Sequence, residues 1–164
     1  MKNEIYSNHT STLLGTDANL IAMLSYFSTV ILGWIPILEY VAFFAPLIVF
    51  FIEKDSIFVK FHAMQAFLLS AISGAVGVVY LLLLGASAVG MGLGTVSLET
   101  GLVSAGAALI ISAVVMIFSI VVLVYEVIAM IGAFKYKESH IPFIGTWAAK
   151  LAHTDSNIID SDTF

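Results

Sequence analysis

Two long apolar stretches dominate the sequence and limit what the chain can fold into. One follows the helix-capping candidates Asp55 and Ser56 and continues to about Ala88, and the other covers roughly Leu102 to Phe134. Each is longer than the roughly 20 residues that a helix needs to cross about 30 Å of hydrocarbon. Runs of this length are difficult to bury in a soluble core of 164 residues, of which 60% are hydrophobic and only 10% charged. The chain is therefore predicted to reside in a lipid bilayer.

Two shorter apolar segments precede these stretches. The first runs from about Ala18 to Trp34 and ends before Pro36, because proline disfavours a helical residue before it. The second runs from about Ile37 to Ile52 and carries Pro46, which is expected to kink the helix by removing one backbone hydrogen bond. At 17 and 16 residues, the two segments are either short spans or the two arms of a re-entrant hairpin.

The predicted fold is all-α, a polytopic membrane helix bundle with four transmembrane or membrane-embedded helices. The bundle occupies residues 18–134, between polar flanking segments. The predicted flanking segments are a polar N-terminal segment (1–17), a cytoplasmic interfacial segment (135–153) and an acidic flexible tail (154–164).

The distribution of lysine predicts the orientation. With four segments, all six lysines fall on one side of the membrane: Lys2, Lys54, Lys60, Lys135, Lys137 and Lys150. The two loops on the opposite side hold Glu39 and Glu99 and no lysine. Positively charged residues accumulate on the cytoplasmic side of membrane proteins. Both termini are therefore expected to be cytoplasmic.

A cluster of ionisable residues interrupts the apolar pattern in FFIEKDSIFVKFHAMQAF, residues 50–67. Glu53, Lys54 and Asp55 are interpreted as a short solvated turn between the second and third segments. Lys60 is expected to extend its side chain toward the headgroups from the first turns of the third helix. These four residues need no functional explanation.

His62 and Gln65 differ, because helical spacing places them on one face of the third helix. Glu126 lies at a similar depth on the fourth helix, which runs the other way. A carboxylate in lipid normally faces the bundle interior and finds a partner. His62, Gln65 and Glu126 are therefore predicted to form a buried polar cluster that fixes helix packing. A transport or proton-relay site is the alternative, but one acid and one histidine are few for a pathway.

Several classes of function are excluded or disfavoured by composition. The chain has no cysteine, which removes disulfides, thiolate metal sites and thiol nucleophiles. Its positive charge is all lysine, and the net charge of −5 disfavours nucleic acid as a partner. The four histidines show no metal-ligand spacing, and no nucleophile constellation is found. We expect a non-enzymatic protein with no metal and no cofactor.

Two motifs carry a resemblance to a known family. FVKFHAMQAF, residues 58–67, and IPFIGTWAAKLA, residues 141–152, resemble elements of the small four-helix membrane proteins related to Tic-twenty, the chloroplast inner-envelope import component. The chain departs from that pattern at Lys60, where arginine is common, and at Thr146 and Trp147, where an acidic residue is frequent. The family-like positions are Phe61, His62, Gln65, Pro142 and Gly145.

The resemblance implies a component or relative of protein translocation or insertion machinery in the cytoplasmic membrane of a prokaryote. The alternatives are a small oligomeric channel or transporter, a structural or adaptor membrane protein, and an intramembrane enzyme, for which no site is found. The expected partners are the lipid bilayer and either further copies of the chain or other membrane proteins.

The second motif also predicts local structure. Pro142 separates the fourth helix from the C-terminal segment. Thr146 is expected to cap a short helix in which Trp147 and Leu151 share a face and Lys150 stays in water. Such a helix is typical of the membrane interface, with the tryptophan at headgroup depth.

Overall fold

The chain is all-α, as predicted. A computed structural model describes residues 4–33, 35, 41–93 and 97–161. Within these ranges it contains five α-helices, and a 3-10 turn over Ala42–Phe44 leads into the second of them. The helices are α1 (Ala18–Gly33), α2 (Ala45–Ile52), α3 (Ile57–Leu93), α4 (Leu98–Phe134) and α5 (Ile144–Ser161).

Two of these helices, α3 and α4, are long and apolar enough to cross a membrane. Each contains 37 residues. By contrast, α1 has 16 residues and α2 has 8. At a rise of about 1.5 Å per residue these two span roughly 24 and 12 Å, less than the roughly 30 Å of a hydrocarbon core. The prediction of four membrane helices is thus not confirmed as four full spans.

The chain divides into two compact units, and α3 and α4 contribute to both. One unit comprises residues 1–71 and 124–164, and the other comprises Ile72–Leu123. In the first unit, α3 is almost entirely buried from Phe58 to Ala66. Lys60 is buried with its neighbours, so the prediction that its side chain reaches toward the headgroups is wrong. The first turns of α3 are packed on every face by protein, which leaves no path outward.

The second unit has the opposite character, since its large apolar side chains point outward. Leu81, Leu82 and Leu109 are among the most exposed. Inside this unit the Tyr80 hydroxyl lies 3.3 Å from Ser112 Oγ. An apolar exterior of this kind is expected of a surface that faces lipid.

Helix α1 packs against the 3-10 turn and α2. Pro46 does not kink a longer helix: it occupies the first turn of α2, where its missing N–H leaves no hydrogen bond broken. The predicted segment boundaries at Trp34 and Pro36, and the loop residue Glu39, lie outside the described residues.

The start of α3 agrees with the sequence. The Val59 N–H donates to Ser56 Oγ at 3.2 Å, so Ser56 caps the helix as predicted. The facing ends of α3 and α4 extend further than predicted, to Leu93 and from Leu98.

Helix α5 begins at Ile144, two residues before the predicted cap, and extends to Ser161. It therefore includes residues 154–161, which sequence analysis assigned to a flexible tail; residues 162–164 lie beyond the described part of the chain. Its buried alanines, Ala148 and Ala152, pack in one apolar cluster with Phe50 and Phe61. This packing fixes α5 against the start of α3.

Candidate functional site

Three side chains from α1 and α3 form a buried hydrogen-bonded network, called here the polar site: Tyr26, His62 and Gln65. The Tyr26 hydroxyl lies 3.0 Å from His62 Nδ1 and accepts a hydrogen bond of 2.9 Å from Gln65 Nε2. All three side chains are buried. The structure thus brings His62 and Gln65 together through Tyr26, a residue that sequence analysis did not select.

The remaining polar atoms of the site are paired with backbone groups after α4. His62 Nε2 lies 3.2 Å from the Lys137 carbonyl, and Gln65 Nε2 donates to the Ser139 carbonyl at 2.9 Å. Gln65 Oε1 accepts from the Ile141 N–H at 3.1 Å. The two ring nitrogens of His62 and both polar atoms of the Gln65 amide therefore have protein partners.

These contacts fix the tautomer of His62. A carbonyl oxygen only accepts, so the hydrogen of the imidazole must be on Nε2, facing Lys137. Nδ1 is then an acceptor and receives the hydroxyl hydrogen of Tyr26. With the imidazole neutral, every donor in the chain Gln65 to Tyr26 to His62 meets an acceptor, and the network has one consistent direction.

The carbonyls that His62 and Gln65 bind are presented by a tight turn at the end of α4. The Lys137 N–H donates to the Gly132 carbonyl at 2.9 Å, and the Tyr136 N–H donates to the Ala133 carbonyl at 3.0 Å. This pair of bonds is a Schellman motif, and Tyr136 has the left-handed conformation it requires, with φ of 55°. Glycine usually occupies that position. Here the buried tyrosine ring stacks on Phe58, with ring centroids 5.7 Å apart, and so compensates the strain.

The second sequence motif closes the site. A Cβ atom on Gly145 would lie 2.7 Å from His140 Cα and 2.8 Å from Gln65 Oε1, so only glycine fits there. The ring of Phe61 lies against His140, with centroids 4.8 Å apart. The two motifs, separate in sequence, are therefore one structural unit. Pro142 is exposed and lies in the turn that leads to α5.

Glu126 takes a different position from the one proposed. Its carboxylate lies 3.3 Å from the hydroxyl of Thr29 on α1. That hydroxyl also donates to the Tyr26 carbonyl at 2.7 Å. Glu126 thus approaches the backbone of α1 one turn beyond the polar site, while the direct partners of His62 and Gln65 are Tyr26 and the turn after α4.

The buried carboxylate of Glu53 was missed because this residue was interpreted as part of a solvated turn. Its side chain is 1% exposed. It accepts hydrogen bonds from the Ser11 hydroxyl, from the Thr12 N–H at 3.1 Å and hydroxyl at 2.9 Å, and from the Ser56 N–H at 3.0 Å. Burial alone would raise the pKa of Glu53. The hydrogen bonds, led by that of Ser11, outweigh burial and lower this pKa below its usual value.

Ser11 and Thr12 belong to an N-terminal strap, residues 4–17, that also holds the turn after α4. The Tyr6 N–H donates to the Tyr136 carbonyl at 2.9 Å, and the Tyr6 hydroxyl donates to Glu138 at 2.8 Å. The pKa of Tyr6 is raised above its ordinary value, mainly by burial and to a smaller extent by the hydrogen bond to Glu138. Glu138 also lies 3.3 Å from His140 Nε2. The strap is therefore hydrogen-bonded both to Glu53, just before α3, and to the turn after α4.

The hydrogen bonds of the polar site join α1, α3 and the turn after α4. Among the described residues there is no group of three or more histidine, cysteine or acidic side chains placed to hold a metal ion. The signal that sequence reasoning could have used is Tyr26 itself, since a tyrosine hydroxyl in an apolar helix needs a hydrogen-bond partner.

Comparison with known proteins identifies the family. Residues 17–148 match the model of MamF/MmsF, described as the magnetosome magnetite crystal formation protein family. No curated protein and no solved structure matches the chain. The resemblance to Tic-twenty-like proteins was therefore wrong, although its motif positions do meet in the fold. Short motifs of this kind report a packing arrangement, which proteins of different function can share. The match covers well over half of the 164 residues, so this membrane protein belongs to the magnetosome magnetite crystal formation protein family.

Proposed function

We propose that the protein takes part in magnetite crystal formation as a non-enzymatic component of the magnetosome membrane. The observation that carries this proposal is the family match over residues 17–148, which includes both candidate spans and the polar site. A role in protein translocation rested on the resemblance to Tic-twenty alone and is withdrawn with it.

The bonding of the polar site supports a structural role. Both ring nitrogens of His62 and both polar atoms of the Gln65 amide are used by protein partners. A general acid or base needs a lone pair or a hydrogen directed at a substrate. Here those groups join α1, α3 and the turn after α4, and they hold one unit of the protein in a single packed arrangement.

The proposed membrane arrangement has α3 and α4 as full spans and α1 with α2 as a shorter hairpin embedded beside them. This choice follows from helix length and from the packing of α1 on α2. The lysine bias holds with two spans as well as with four, because all six lysines still lie before α3, at its start or after α4. The proposed orientation therefore has both termini in the cytoplasm. Further copies of the chain or other membrane proteins are the proposed partners.

The test is genetic complementation in a magnetite-forming bacterium that lacks the gene for this chain. We expect that deletion changes the size or number of the crystals seen by electron microscopy, and that the wild-type chain restores them. Crystals unchanged by deletion would overturn the proposal. The chain should also be recovered in the purified magnetosome membrane.

Two variants separate a structural role from a catalytic one. Gln65→Leu removes the amide that joins α3 to the turn after α4, and it should fail to restore the crystals. Glu126→Gln keeps an oxygen that can accept from Thr29 but removes the ionisable group. It should restore the crystals if the protein is not an enzyme. Failure of a well-folded Glu126→Gln protein would argue for acid or base chemistry.

A further inference from the structure

The outer face of α5 carries large apolar side chains that a water-exposed helix normally buries. Between Ile144 and Thr154, the buried residues of this helix are all small: Gly145, Ala148 and Ala152. Its exposed face carries Trp147 and Leu151, which are 68% and 43% exposed. A helix at a protein–water boundary places its large apolar side chains inward and its polar ones outward. Trp147 and Leu151 therefore face something other than water.

Phe143 is the residue immediately before α5. It is 87% exposed and has a φ of 64°, in the left-handed region that a residue with a large side chain rarely adopts. The turn is held by hydrogen bonds of 2.8 Å from the Gly145 N–H to the Ile141 carbonyl and from the Ile144 N–H to that of Pro142. The close packing of Gly145 leaves the backbone no room to relax. The turn thus directs a phenylalanine ring into the surroundings at an energetic cost.

Trp147 and Leu151 lie four residues apart and so share one face of α5. These two residues and the exposed Phe143 just before the helix are called here the apolar ridge. Lys150 is exposed beside it. Aromatic side chains with a neighbouring lysine are typical of segments that lie at the boundary between headgroups and acyl chains. The ridge begins nine residues after Phe134, the last residue of a candidate span, and is therefore close in sequence to the membrane surface.

The size of the ridge favours a bilayer over a second protein copy. An aromatic side chain buries about 150–250 Å², so three large side chains offer roughly 500 Å². A stable protein interface buries about 800 Å² on each partner. The ridge alone falls short of that, whereas a lipid surface accepts it without shape complementarity.

We propose that the apolar ridge of Phe143, Trp147 and Leu151 inserts into the headgroup boundary of the bilayer that α3 and α4 cross, and so holds α5 flat against the membrane. The proposal rests on the membrane assignment of α3 and α4 and is independent of the role in crystal formation.

The absence of cysteine from the sequence permits a clean test by spin labelling. Single cysteines replace Trp147, Leu151 and, as a matched control, Thr146, which is also exposed but lies off the ridge. Each full-length variant is labelled with a nitroxide and reconstituted in vesicles of phosphatidylcholine and phosphatidylglycerol. Accessibility to oxygen, which concentrates in lipid, is compared with accessibility to a water-soluble nickel chelate.

We expect the ratio of oxygen to nickel accessibility to be several-fold higher at positions 147 and 151 than at 146. Equal, water-like ratios at all three positions would overturn the proposal. Strong dipolar coupling between labels at 147 in separate chains would also overturn it, since it would mean that a second copy covers the ridge. In unlabelled Trp34→Phe protein, Trp147 fluorescence should be quenched by lipids labelled near the headgroup and protected from aqueous iodide. If Trp147 is quenched by iodide and not by the labelled lipids, the proposal is contradicted by a measurement that needs no labelled side chain.

Discussion

Replacing Tyr26 by phenylalanine tests the polar site directly, because it removes one hydroxyl and keeps the ring. The ring packs edge-on against His62, with centroids 5.8 Å apart, and this contact remains. Two hydrogen bonds are lost, one of 3.0 Å to His62 and one of 2.9 Å from Gln65. A buried polar group left without a partner costs about 1 to 3 kcal/mol. We expect Tyr26→Phe to lower the free energy of unfolding by about 2 to 4 kcal/mol, since both partners lose a bond.

The measurement is reversible unfolding in mixed detergent micelles, with Tyr80→Phe as the matched control. Tyr80 makes one hydrogen bond of 3.3 Å, to Ser112, so its loss should cost about 1 kcal/mol or less. A double-mutant cycle with Gln65→Leu adds a second criterion, because each change removes the same Gln65 to Tyr26 bond. The double variant should cost about 1 kcal/mol less than the sum of the single ones. If Tyr26→Phe costs no more than Tyr80→Phe and the cycle is additive, the site contributes no coupled stability and the reasoning fails.

Three further predictions concern a carboxylate, a glycine and the topology. The stability contributed by ionised Glu53 should be fully present above its ordinary pKa of 4.5. It should be lost as the pH falls toward the lowered pKa of the folded state. In thermal unfolding, the melting temperature of Glu53→Gln should therefore fall less at acid pH than that of the wild-type protein. Gly145→Ala should destabilise by about 1 to 3 kcal/mol, because its Cβ would lie 2.7 Å from a backbone atom. The control Gly74→Ala, with open space at its Cβ, should be neutral or stabilising in the same assay. Single cysteines at Lys54 and Glu99 should react with an impermeant thiol reagent from opposite sides of the membrane, and labelling of both from one side would refute the two-span arrangement.

The elements that could be predicted are those that local chemistry determines. The apolar runs predicted α3 and α4, and Ser56 predicted where α3 begins, because a hydroxyl before an apolar helix satisfies a free N–H. Pro46 was misread because the same residue that kinks a helix interior also suits a first turn, and the sequence alone does not say where α2 starts.

Only those members of the site that take part through a distinctive side chain could be predicted from the sequence. His62 and Gln65 stood out as polar residues on an apolar helix, and matching depth then suggested Glu126 as their partner. The actual partners include the carbonyls of Lys137 and Ser139, and no sequence pattern distinguishes these from any other carbonyl. Glu53 was missed because its hydrogen-bond donor Thr12 lies 41 positions earlier in the chain, where no local pattern connects the two residues.

The N-terminal strap has a consequence for the order of events during synthesis. Its Tyr6 hydroxyl binds Glu138, 132 positions later. At about 5 to 20 residues per second, roughly 7 to 26 s separate the synthesis of the two residues. In that interval both candidate spans are made, while His62 and Gln65 still lack the carbonyls that come after α4. The first unit therefore closes only after both candidate spans have been synthesised, and a chain that stops before Lys137 leaves His62 and Gln65 without these two carbonyl partners.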